Sequence, residues 1–116
     1  MTSNEFVEAL KRHVRDAAIE DTIANLKNPP GRGVSLQVRA LSEWYNALSA
    51  EEAKLVNDVI ATGVHATLFG LLAVLDGART IDHDGGRFEL VYVADERVVL
   101  NDPQAIDLHD LLNAVD

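Results

Sequence analysis

VHATLFGLLAVL, residues 64–75, is an uncharged run inside a strongly acidic chain, and its reading decides the fold. Gly63, Ala66, Gly70 and Ala73 recur through it at spacings of three, four and three. On a helix these four fall on one side and make a smooth stripe that lets another backbone approach. The run therefore predicts a central helix buried on most of its circumference. Val64, Leu68, Leu71 and Leu75 are expected among the most buried residues, with Gly63 and Gly70 against a neighbouring backbone.

Working upstream, Ser49 and Glu52 have the spacing of a capping box, so this helix should begin near Ala50 and run to Asp76. Val56, Val59, Ile60 and Val64 mark its buried face in the first half. Gly77 is placed as the left-handed C-cap, and Arg79 can answer the negative helix end. Before it, Val34, Val38, Leu41, Tyr45 and Leu48 follow i, i+4, i+7 spacing, an amphipathic helix. The corner between the two is so short that it favours a helical hairpin. Pro29-Pro30-Gly31-Arg32-Gly33 breaks the chain ahead of that helix. Thr2 and Glu5 form another capping box and open a first helix to about Asn28. Its apolar stripe Phe6, Leu10, Val14, Ala17 shifts phase before Ile19, Ile23 and Leu26, which implies a bend near Asp16–Ala18 or a change of neighbour.

Downstream, the period changes to two. Thr80–His83, Arg87–Val93 and Arg97–Leu100 read as strands separated by Asp84-Gly85-Gly86 and Ala94–Glu96. Phe88, Leu90 and Tyr92 face one side and Val91 and Val93 the other, so this sheet needs cover on both faces. Asp107 can N-cap a final helix whose stripe is Leu108, Leu111, Leu112 and Val115. The expected architecture is a single α+β domain over residues 1–116: a three-helix N-terminal bundle, a three-stranded antiparallel meander and a short C-terminal helix.

At this point LSAEE (residues 48–52), GVHATLFGLLAVLDGA (63–78) and the closing LHDLLN (108–113) resemble an uncharacterised family of small bacterial proteins. The resemblance implies a bacterial cytosolic origin and a helical fold with an accessory sheet. It supplies no catalytic residue.

Composition narrows the function classes. There is no Cys among 116 residues, which excludes disulfides, thiolate metal sites and cysteine nucleophiles. The opening MTSNEFVEAL carries acids where a signal peptide needs lysines, and the uncharged run of about twelve residues is short of the ~20 that cross a bilayer. A soluble cytoplasmic protein is expected, with no membrane partner. The net charge is −9. Residues 1–58 hold seven bases and nine acids, residues 59–116 three bases and ten acids, so the C-terminal half is the acidic one. Such a field repels phosphate backbones and argues against nucleic acid, while attracting basic proteins.

Candidate chemistry is sparse. His65 lies inside the central helix and could be a general base or a pH-sensitive contact, or a packed histidine sharing its ring proton with a backbone carbonyl or a carboxylate. Asp82-His83-Asp84-Gly85-Gly86 lacks the third aspartate, the length and the terminal glutamate of a calcium loop, so it reads as a polar hairpin tip. His13 and His109 lie on separate helices. Gly31-Arg32-Gly33 is not a phosphate-loop motif, and Lys11, Arg12 and Arg15 read as a solvated basic face on helix one. There is no GxSxG elbow, no HExxH and no paired-carboxylate constellation. No cofactor, metal or catalytic residue is expected. Trp44, at the edge of the second helix, is either a lid on the core or an interaction hot spot.

The leading expectation is a non-enzymatic protein-interaction module of the immunity, antitoxin or regulatory kind. It would form a homodimer through the sheet or the final helix and meet a basic partner with Trp44, Asp82, Asp84, Asp95 and Glu96. The alternatives are a small enzyme or ligand-binding protein with a site around His65, and a self-associating structural domain.

Overall fold

The computed structural model describes residues 1–114; Val115, the last member of the expected C-terminal stripe, lies outside the described residues. The chain forms α1 (Ser3–Leu10), a π-helical segment (Lys11–Asp16), α2 (Ala17–Lys27), α3 (Leu36–Asn46), α4 (Ala50–Leu75), β1 (Val91–Val93), β2 (Arg97–Val99) and α5 (Leu108–Asn113). This is a mixed, mostly helical α+β arrangement with one two-stranded antiparallel sheet.

Both expected capping boxes are present. Thr2 Oγ1 accepts from Glu5 N, and Ser49 Oγ accepts from Glu52 N, with each glutamate carboxylate accepting from the cap residue's N–H. The first helical stretch runs unbroken from Ser3 to Lys27, and its middle is widened into π geometry. A π turn takes up extra residues without ending the helix and rotates everything after it. That is the cause of the phase shift in the apolar stripe.

Helix α4 ends as its sequence requires. Gly77 takes φ +79°, Gly77 N donates to Val74 O and Ala78 N donates to Ala73 O, a Schellman closure. The core sits at this end. Val7 from α1, Leu68 and Leu72 from α4, and Leu108 and Leu112 from α5 form one buried cluster, with Phe6, Phe69, Leu75 and Leu90 packed around it.

Several expectations are corrected by this packing. Leu72 and Ala73 are buried beside Leu68, whereas Leu71 is 57% exposed. Gly70 is buried under the Arg79 guanidinium, not under a backbone, and Gly63 faces open space. The three-helix bundle does not close. α3 packs on α2 and α2 on α4, but α3 and α4 scarcely touch despite their short corner. Among the described residues, two side-chain hydrogen bonds hold α3 to its surroundings: Tyr45 OH donates to Asn57 Oδ1 at 2.8 Å, and Asn46 Nδ2 to Lys27 O at 3.0 Å. Val38 and Leu41, on the expected buried stripe of α3, are therefore exposed. Of the expected solvated basic face of helix one, Arg12 is exposed, Arg15 is half-buried, and Lys11 is buried and paired with Glu8 at 3.1 Å.

The meander has two strands, not three, paired Val91–Val99, Tyr92–Val98 and Val93–Arg97. Residues 80–83 form no strand. Asp82 Oδ1 accepts from Asp84 N and bends the segment into a turn, and Arg79, just ahead of it, is drawn over Gly70 of α4. Residues 88–90 are held instead by the Asn101 side chain, together with one backbone bond from Leu100 N to Leu90 O. Asn101 is buried; its Oδ1 accepts from Leu90 N at 2.8 Å, and its Nδ2 donates to Phe88 O at 2.9 Å and to Leu75 O at 2.7 Å. A single amide thus satisfies the backbone before β1 and a terminal carbonyl of α4.

Asn101→Ala strands three backbone groups in a partly buried place and should cost about 2–4 kcal/mol in urea denaturation. Amide exchange should accelerate first at Leu90 and Leu100. The capping carboxyl of Glu52 is held below the usual carboxylate range, chiefly by the Ser49 backbone N–H and then by its hydroxyl. Its contribution to folding is therefore present above the ordinary value and lost as pH falls through the lowered one. The stability advantage of the native chain over Glu52→Gln should shrink as pH falls from the ordinary carboxylate value through the lowered one, as read from urea midpoints.

Candidate functional site

Two polar clusters hold the helices together, and one of them contains His65. The first lies where α4 ends. Asp76, the C-cap residue, has a side chain only 1% exposed. Its Oδ2 accepts from His109 N at 2.9 Å and from His109 Nδ1 at 2.7 Å. The expected N-cap, Asp107, makes no side-chain capping bond; Asp76 reaches across from α4 and fills that role. Asp107 Oδ2 is 4.0 Å from His109 Nδ1, and Asp110 Oδ1 is 3.5 Å from Nε2. Phe69 packs edge-to-face on the imidazole, with ring centres 5.3 Å apart.

Sequence reasoning missed this cluster, because 33 residues separate Asp76 from His109. The signal available was Asp76 itself, an acid at a helix C-terminus where the macrodipole disfavours it. Such a residue needs a donor from elsewhere. Three carboxylates around the first turn of α5 also suit that helix's positive end.

Chemically, Asp76 and His109 make a carboxylate–imidazole pair of the kind that orients a catalytic base. Here Nε2 meets Asp110, and among the described residues no hydroxyl nucleophile hydrogen-bonds to it. Ligand atoms of Asp76, Asp107 and His109 lie within 4.8 Å of one another and could hold a cation. A cation would have to displace the Nδ1 proton and compete with two hydrogen bonds already on Asp76 Oδ2. The geometry is that of an interhelix clasp.

The second cluster contains His65. Its Nε2 lies 2.7 Å from Asn113 Oδ1, and Arg15 Nη1 lies 3.5 Å from its Nδ1. Arginine only donates, so Nδ1 is the acceptor and Nε2 carries the proton to the Asn113 carbonyl. The ring-proton partner is neither the expected backbone carbonyl nor a carboxylate but the side-chain amide oxygen of Asn113 on α5. Both ring nitrogens are engaged. The cleft beside them, lined by Arg15, Asp16, Ile19, Ala61, Thr62 and Ala66, is open and holds few polar groups.

The remaining candidates are dispersed. Trp44 is 51% exposed on α3, so it is not a lid on the core. Asp82 and Asp84 sit in the loop after α4, and Asp95 and Glu96 at the turn between β1 and β2, all exposed. Trp44 lies on α3, ahead of the 26-residue α4 in the chain, and the four acids lie in two separate loops after it. The structure does not gather them into one site.

No protein family, curated protein or solved structure matches this chain. Its functional reading rests on its own geometry.

Asp76→Ala leaves the His109 N–H groups without their buried acceptor and should cost about 2–4 kcal/mol. Asp76→Asn keeps an acceptor oxygen and should lose less than half as much. Urea denaturation of the two variants checks this.

Proposed function

We propose that this chain is a non-enzymatic interaction module that works as a homodimer and presents an acidic end to a basic protein partner. One observation carries the reading: the folded chain exposes far more surface than a finished monomer of its size.

Its accessible surface is 8337 Å² for 12.6 kDa. A compact monomer of that mass exposes about 6,200 Å². The Cα radius of gyration is 18.1 Å, and the extents are 50 × 32 × 29 Å. A compact chain of this length has a radius of about 13 Å. The excess of about 2,100 Å² per chain exceeds the ~800 Å² per partner of a standard interface and falls in the obligate-dimer range. Much of it is apolar: Leu36, Val38 and Leu41 on α3 and Leu55, Val59 and Leu71 on α4 are all exposed.

Helix α4 is long and apolar enough to cross a membrane by length and composition, as core helices of soluble proteins also are. Only 22% of its most apolar window is buried. A soluble, cytoplasmic module is the better reading. His65, Arg15 and Asn113 form a polar cluster beside the middle of α4, and α1 to α2 carry charged side chains along the same flank. A bilayer would have to take up all of them. The exposed carboxylates of Asp82, Asp84, Asp95 and Glu96 support a basic partner, which they would steer by charge.

Light scattering of the native chain at about 10–100 µM should give about twice the 12.6 kDa chain mass. A monomer throughout that range would remove the reading.

A further inference from the structure

We infer that the dimer forms by antiparallel packing of α4 on α4 of a second copy, crossing at Gly63; this rests on the self-association proposed above. The face concerned is the one that Leu55, Val59, Thr62, Gly63 and Ala66 share. At 100° per residue these five lie within about 100° of one another, a lane along one side of the helix.

This lane is open in the single chain. Leu55 is 65% and Val59 70% exposed, Thr62, Gly63 and Ala66 are exposed too, and a Cβ built on Gly63 would meet nothing within 4 Å. His65 is bound to Arg15 and Asn113, and Arg15 and Asp16 edge the lane where Thr62, Gly63 and Ala66 line open clefts. No Asp, Glu, Lys or Arg occurs between Val59 and Leu75.

Three observations identify the occupant as a second copy. The surplus surface matches what each protomer of a stable dimer buries. The lane residues from Leu55 to Ala66 carry no carboxylate themselves, with Glu52 before the first of them and Asp58 beside them, so a like-charged chain meets less repulsion there than at the acidic loops. Gly63 also stands at the middle of the Ala50–Leu75 helix. In a two-fold contact the residue on the axis meets itself, so the axis belongs where the side chain is smallest and the backbones come closest.

The register that follows brings Leu55 level with the partner's Leu71 and sets larger residues against smaller ones nearer the axis. Val59 comes level with the partner's Thr67, and Ile60 with the partner's Ala66. Antiparallel pairing also separates the two acidic first turns, Glu51 and Glu52, which a parallel pair would stack at like helix ends. The dimer then buries the lane that the helix-length apolar run left uncovered.

The test uses the absence of native cysteine. Gly63→Cys in the full chain should form a disulfide-linked dimer on mild oxidation, because a bond requires Cα atoms within about 7 Å. Leu36→Cys, equally accessible on α3, should not. Val59→Glu and Leu55→Glu replace side chains already exposed in the folded chain, so each should keep its helical circular dichroism. Each should raise the dimer dissociation constant about 100-fold or more, while Leu36→Glu leaves it unchanged. If the dimer survives Val59→Glu and the Gly63→Cys variant does not cross-link, this interface is overturned and self-association is left standing. A native chain monomeric to about 100 µM overturns both. Binding of the native chain to phosphatidylcholine–phosphatidylglycerol vesicles, lost in Val59→Glu, assigns the lane to a bilayer and likewise overturns the pairing.

Discussion

The last turn of α4 is where the rest of the structure is fastened. Gly77 reverses the chain in a left-handed conformation, and the groups the helix leaves over there are taken by distant segments. Leu75 O goes to Asn101, which in turn holds residues 88–90 beside the end of β2. Asp76 goes to His109 and fixes the start of α5. Ser3 Oγ adds a bond to Leu100 O and brings the first turn of α1 to the same place. The apolar cluster of Val7, Leu68, Leu72, Leu108 and Leu112 fills the space these bonds define. Hydrogen bonds to backbone groups thus position the elements, and burial of the leucines supplies the stabilisation.

The other end of α4 is organised differently. α3 is tied to α4 by the Tyr45 hydrogen bond and to the end of α2 by that of Asn46. The first half of α4 has helix neighbours on only part of its circumference. One end of the molecule therefore has a core and the other has helices with apolar sides left over. A chain with 47% hydrophobic residues has enough material for a larger core than this. The shortfall lies in geometry: three helices arranged in an open row bury less than three arranged in a triangle. The proposed pairing of α4 with a second copy would cover part of those apolar sides without any change in the chain.

Such a division also suits the functional reading. The clasp at His109 and the His65–Asn113–Arg15 cluster use their polar atoms on one another, which rigidifies the fold and leaves little free for chemistry. What remains available to other molecules is the uncharged lane of α4 and the exposed carboxylates beyond its end. Under the proposed reading, the apolar surface serves assembly and the charged one a partner.

Local signals in the chain determined the local structure. Thr2 with Glu5, Ser49 with Glu52, and Gly77 after a long apolar run defined helix ends, because caps depend on residues three or four positions apart. The phase shift in the first helix was legible too, although its π geometry was not. Asn101 and Asp76 were not legible, since what they do depends on carbonyls and N–H groups 11 to 33 residues away. The expected third strand failed for a related reason. Alternation marks a segment that could pair, and only the tertiary structure shows Arg79 drawn over Gly70 and the chain after it turned away from pairing. The stripe of Gly63, Ala66 and Gly70 is legible as small residues on a helix, but periodicity says nothing of what lies across from it. Which neighbour covers such a face is decided by where the other helices pack, and in the single chain no helix reaches Gly63.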